Sequence, residues 1–86
     1  MTTTTVAVRY FAAARAAAGV ETEKLQLPAE ATVDAALTAL RAQHGPEFGV
    51  VLDRCSFLLD EVAVRDRSAV LRPDAVLDVL PPFAGG

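Results

Sequence analysis

Val76-Leu77-Asp78-Val79-Leu80-Pro81-Pro82-Phe83-Ala84-Gly85-Gly86 is the stretch on which the reading of this chain turns. Its first five residues form a short strand, with Leu77 and Val79 on one face and Val76, Asp78 and Leu80 on the other. Two prolines follow. Neither has a backbone N–H, so neither continues a sheet ladder, and the pair favours a stiff, extended exit. Gly85 and Gly86 lack a Cβ and pass through a channel too narrow for any other residue. Six extended residues reach roughly 20 Å. The segment reads as a stalk (Pro81, Pro82), one large apolar anchor (Phe83) and a thin tip that presents a carboxylate at Gly86.

Upstream, the sequence alternates between strand and helix periods. Val6, Val8 and Tyr10 share one face of an opening strand, with Thr5, Ala7, Arg9 and Phe11 on the other. Ala12 to Ala18 is an alanine-rich helix that carries Arg15 and ends at Gly19. Glu21 to Leu27 is a half-buried strand that pairs with the first and stops at Pro28. Thr32 caps a main helix whose Val33, Ala36, Leu37 and Leu40 form the apolar stripe. His44 prolongs that stripe at the helix end, where a cation suits the dipole. No nucleophile motif stands beside it. Gly45 and Pro46 stop the helix, and 46–54 reads as a connector with about one helical turn. Cys55 to Leu59 and Val62 to Arg65 are short strands around an Asp60-Glu61 turn. Val70 and Leu71 return briefly to the core. Arg72-Pro73-Asp74-Ala75 fits a type I turn before the last strand.

The composition excludes several classes of function. The chain has 86 residues, which suits one domain, and is 52% hydrophobic. That builds a modest core and not a deep enclosed active site. The net charge is −3 and Lys24 is the only lysine, so no basic face for nucleic acid is expected. One cysteine and one histidine make neither a disulfide framework nor a zinc ligand set. Cys55 lacks a CxxC partner and reads as a small, partly buried thiol. No apolar run approaches a membrane span, and residues 1–5 lack the layout of a signal peptide. A cytoplasmic protein without metal, membrane or nucleic-acid partner is the expectation.

The Pro-Pro-Phe-Ala-Gly-Gly ending resembles that of the molybdopterin synthase small subunits, the MoaD-like sulfur carriers grouped with ThiS-like and ubiquitin-like β-grasp proteins. The opening Val6-Ala7-Val8-Arg9-Tyr10-Phe11-Ala12-Ala13-Ala14-Arg15 is similar to that family's first strand, aromatic pair and arginine-bearing helix. The resemblance spans the chain in length and element order. It implies an α+β, β-grasp fold over 1–80: a mixed sheet of four to five strands, one main helix and one or two short ones, with an extended tail over 81–86. It also implies that the last strand lies mid-sheet beside the first. Two turns depart from the family pattern, at Asp60 where the family often has Asn, and at Asp74-Ala75 where it has Gly-Asp.

The resemblance further implies a protein that is itself a cosubstrate and not an enzyme. No phosphate-binding loop, zinc site or nucleophile–base pair is present to act on the tail. Gly86 is then the reacting residue, Gly85 gives clearance, and Leu80, Pro81, Pro82, Phe83 and Phe11 form an apolar docking seam, with Arg15 as a charged neighbour. ATP and a sulfur donor are used by partners: an E1-like adenylating enzyme, then the large molybdopterin synthase subunit, in a heterotetramer of two small and two large subunits. Other readings stay open. The same tail serves carriers in thiamine and cysteine synthesis. A ubiquitin-like modifier joined to lysines through Gly86, or a plain interaction domain, also fits.

Overall fold

The computed structural model describes residues 3–82. Eight elements follow in order: β1 (Thr3–Tyr10), α1 (Ala12–Ala18), β2 (Thr22–Pro28), α2 (Val33–His44), α3 (Pro46–Leu52), β3 (Ser56–Leu59), β4 (Val62–Ala63) and β5 (Val76–Leu80). The strands form one sheet in the order β2-β1-β5-β3-β4. β1 and β5 run parallel, and the other pairs are antiparallel. The last strand therefore lies mid-sheet beside the first, as the resemblance implied.

Alternation along the strands sends one face into the core. Val6, Val8 and Tyr10 of β1, Leu25 and Leu27 of β2, Phe57 of β3, and Leu77 and Val79 of β5 are all buried. They meet Ala14 of α1, the Val33, Ala36, Leu37 and Leu40 stripe of α2, and Phe48 and Leu52 of α3. Each fully buried Leu, Val or Phe contributes about 1.5–3 kcal/mol relative to exposure. The opposite residues of β5 and β3, namely Val76, Leu80 and Leu58, are half-buried but stand outside this core.

Local chemistry sets the boundaries. Thr32 Oγ1 accepts from the Ala35 N–H at 3.1 Å, the cap expected for α2. Gly45 has φ +93 and its N–H closes the helix on the Arg41 carbonyl. Pro46 then occupies the first turn of a second helix. The stretch read from sequence as a connector with one turn is thus the seven-residue α3, because a positive-φ glycine followed by proline ends one helix and starts the next. Arg41 ties the two together, 2.6 Å from Asp53.

Other boundaries move as well. β3 begins at Ser56, after Cys55, and β4 is only Val62–Ala63, without Arg65. Asp60 and Glu61 both have positive φ, the two-residue hairpin geometry that usually selects Asn-Gly. Asp60 also accepts the Val76 N–H on its side chain at 2.9 Å. Leu71 is buried as expected, but Val70 is exposed. The Arg72–Ala75 turn closes through the Ala75 N–H on the Arg72 carbonyl. Asp74 in its third position has φ +64, which a type II turn requires and a type I turn does not. Both departures from the family pattern thus fall where the backbone favours Gly or Asn. Among the described residues no helix is long and apolar enough to cross a membrane.

Candidate functional site

β5 is held on both sides. It pairs with β1 through Ala7↔Val76 to Tyr10↔Val79 and with β3 through Ser56↔Leu80 to Leu59↔Leu77. Leu77 and Val79 are wholly buried. The strand therefore delivers Pro81 and Pro82 from a fixed base. Leu80 and Pro81 are half-buried and Pro82 is exposed. Phe83, Gly85 and Gly86 lie outside the described residues.

The start of α1 is built against the same strand end. The Phe11 N–H donates to the Val79 carbonyl at 3.3 Å, yet the Phe11 side chain stays 40% exposed. Ala12 takes φ +51, an unfavourable left-handed conformation for an L-residue. Only Ala14 of this helix is fully buried, so Ala12, Ala13, Ala16 and Ala17 present a smooth outer surface of methyl groups.

A cavity of about 280 Å³ opens where these parts meet, lined by Ala13, Val50, Val51, Arg54, Pro81 and Pro82. Arg15, the expected charged neighbour of the tail, does not line it. Arg15 Nη1 instead lies 3.1 Å from Glu21 Oε2, with both side chains exposed. The cation beside the prolines is Arg54. Val50 and Arg54 are not evident as site residues from the sequence, where 46–54 reads as a connector with about one helical turn. The signal was present: Phe48 and Leu52 are four apart and share the buried stripe of a helix, which turns Val50 outward.

Two further polar constellations were not anticipated. On the face of the sheet away from the core, Arg9 of β1 faces Asp78 of β5 across the parallel register. Nε and Nη2 of Arg9 donate to the two carboxylate oxygens at 2.5 and 2.8 Å. This bidentate pairing explains how a carboxylate only 5% exposed sits in a strand.

The second constellation gathers on Glu23 of β2. Its carboxylate accepts from the Tyr10 hydroxyl, from His44 Nε2 at 2.6 Å and from Gln43 Nε2 at 2.6 Å. Burial pushes the Glu23 carboxyl up, but the donors outweigh it and hold the group below its ordinary value. Burial and this carboxylate push the Tyr10 phenol up. His44, which prolongs the apolar stripe at the helix end, is packed against Phe48 at 4.7 Å between ring centres. Its position on the apolar stripe carries the ring inward, where Glu23 supplies its polar partner. Cys55 is buried, its thiol donates to the Val51 carbonyl, and burial pushes its pKa up. That disfavours the reactive thiolate. No group of three His, Cys, Asp or Glu side chains able to hold a metal occurs among the described residues.

The mixed five-stranded sheet with its helices on one face defines a ubiquitin-like β-grasp protein. The ThiS family model matches residues 8–86, and the chain belongs to that family of ThiS/MoaD sulfur carriers and ubiquitin-like proteins. Among solved structures it is similar to a Pyrococcus furiosus protein provisionally assigned as molybdopterin converting factor, subunit 1. Identity there is 26% over 93% of this chain and 99% of that one, with a TM-score of 0.84. It is also similar to SAMP1 from Haloferax volcanii, with 25% identity over 95% of this chain and 99% of that one and a TM-score of 0.79. Subunit 1 in the complex of subunits 1 and 2 of molybdopterin-converting factor from Helicobacter pylori shares the fold, at 22% identity over 95% and 99% of the chains and a TM-score of 0.67. A search of curated proteins finds no match.

Proposed function

We propose that this chain is the sulfur carrier of a molybdopterin synthase, with Gly86 as its reacting terminus. The carboxylate oxygen attacks the α-phosphate of ATP on an E1-like partner, releasing pyrophosphate and leaving an acyl adenylate. Sulfide then displaces AMP and leaves a thiocarboxylate; a persulfide donor instead gives an acyl disulfide, which a thiol of the partner cleaves to the thiocarboxylate while forming a disulfide with the donor sulfur. That sulfur is passed to a pterin precursor in the active site of the large subunit, and two carriers in a heterotetramer supply the two dithiolene sulfurs. A carboxylate is a poor electrophile, so adenylation by a partner is the step that makes the exchange possible. The chain itself acts as cosubstrate and the partners catalyse.

The observation that carries this reading is the pinned β5, which sets Pro81 and Pro82 at the surface as the base of a Gly-Gly tail. Family membership and the likeness to the Pyrococcus protein support it. A second reading, a protein modifier, is favoured by the comparable likeness to SAMP1.

Intact mass after incubation with the cell's adenylating enzyme, ATP and a sulfur source tests the choice. A gain equal to one oxygen exchanged for one sulfur is expected, together with transfer of that sulfur when the large subunit and precursor are added. Conjugates on lysines of other proteins, without sulfur transfer to the pterin precursor, would establish the modifier instead.

A further inference from the structure

We propose that the cavity of Ala13, Val50, Val51, Arg54, Pro81 and Pro82 is a docking subsite for the adenylating partner. It takes a segment of that partner carrying an apolar side chain next to an Asp or Glu. This rests on the carrier reading above and adds the partner's chemistry to it.

The size of the cavity points to a side chain. At about 280 Å³ it falls just below the range of small-molecule sites, roughly 300–1,000 Å³. It suits one anchoring residue of the kind that dominates protein interfaces. Apart from Arg54 its walls are apolar, and Val50 stands outside the core cluster. Val50 is 60% exposed, while its helix is anchored by Phe48 and Leu52 on the other side. Ala13 belongs to the outward methyl surface of α1, where short side chains let a partner backbone come close.

Charge selects the second feature of the partner. Arg54 is exposed and makes no ion pair among the described residues. Two other arginines are already matched: Arg15 with Glu21, and Arg41 with Asp53, the residue preceding Arg54. Arg54 is thus an uncompensated cation at the rim of an apolar hollow, in a protein of net charge −3. A carboxylate beside the anchoring residue complements it. Position gives the third argument. Pro81 and Pro82 form one wall, so the hollow adjoins the base of the segment that the partner grips.

The test uses the full chain and the adenylating enzyme from the same cells, followed by ATP–pyrophosphate exchange. Val50→Asp and Arg54→Glu each raise the KM for the carrier by about tenfold or more and leave kcat within about twofold, because they weaken docking and not chemistry. Arg54→Lys stays near wild type, and Arg54→Glu flattens the dependence of KM on salt. Both positions are exposed, so thermal unfolding is unchanged and a folding defect is separable. Wild-type KM in both charge variants overturns the proposal while the carrier reading stands. A wild-type chain that supports no exchange at all overturns the carrier reading and this inference with it. Shifts of the Val50 and Arg54 resonances in the isolated chain on deletion of residues 83–86 would make the chain's own tail the occupant, which also overturns it.

Discussion

Glu23 and Arg54 sit in regions that treat polar groups in opposite ways. Around Glu23, three donors from β1 and α2 converge on one carboxylate, and the aromatic rings of Tyr10, His44 and Phe48 pack about it. Around Arg54, a guanidinium and an outward Val50 meet no partner among the described residues, beside the base of the tail. The first region is chemically complete and closes the fold. The second is incomplete in both its apolar and its charged parts. A small domain has little surface to spare, so matched groups mark structure and unmatched ones mark where another molecule completes the set.

The sharpest way to test this division is at the tail. Deletion of Gly86 is expected to abolish sulfur acceptance by intact mass while the unfolding midpoint in urea stays at the wild-type value. Loss of stability with the deletion would break the separation of body and tip. Next in size is Glu23→Ala, which strips the acceptor from Tyr10, His44 and Gln43. A loss of about 2 kcal/mol in urea unfolding is expected, since half-buried donors are left unpaired. Exchange kinetics of the folded fraction should not change. An altered KM would mean that the closed region also serves docking.

Acid should reveal the same carboxylate. The folded Glu23 value is lowered, so its stabilisation is present above the unfolded value near 4.3 and fades as pH falls through the folded one. Glu23→Gln should therefore flatten the stability curve of the chain below about pH 4.5. An unchanged acid slope would count against the three-donor arrangement. The smallest effect is expected at the hairpin. Glu61 has φ +71, and Glu61→Gly should raise stability by about 0.5–1 kcal/mol, read as a higher urea midpoint, without touching docking. A destabilised variant would show that the Glu61 side chain contributes more than its backbone strain costs.

Sequence alone determined which residues enter the core and what the tail is made of. The period-2 faces of 6–10 and 76–80 and the Val33–Leu37–Leu40 stripe are consequences of side-chain direction in strands and helices, and that direction is a local property. The Thr32 cap and the Pro81-Pro82 exit are equally local, since each depends on one residue's hydrogen-bonding capacity. Tertiary structure decided the rest. Arg9 and Asp78 are 69 residues apart in sequence, and only the parallel pairing of β1 with β5 makes them a pair. His44 found Glu23 because α2 lies across β2. Arg54 borders Pro81 and Pro82 because α3 packs beside α1 near the end of β5. Propensity and periodicity act over a few residues, whereas charge pairing and open cavities depend on which distant segments the sheet order brings together.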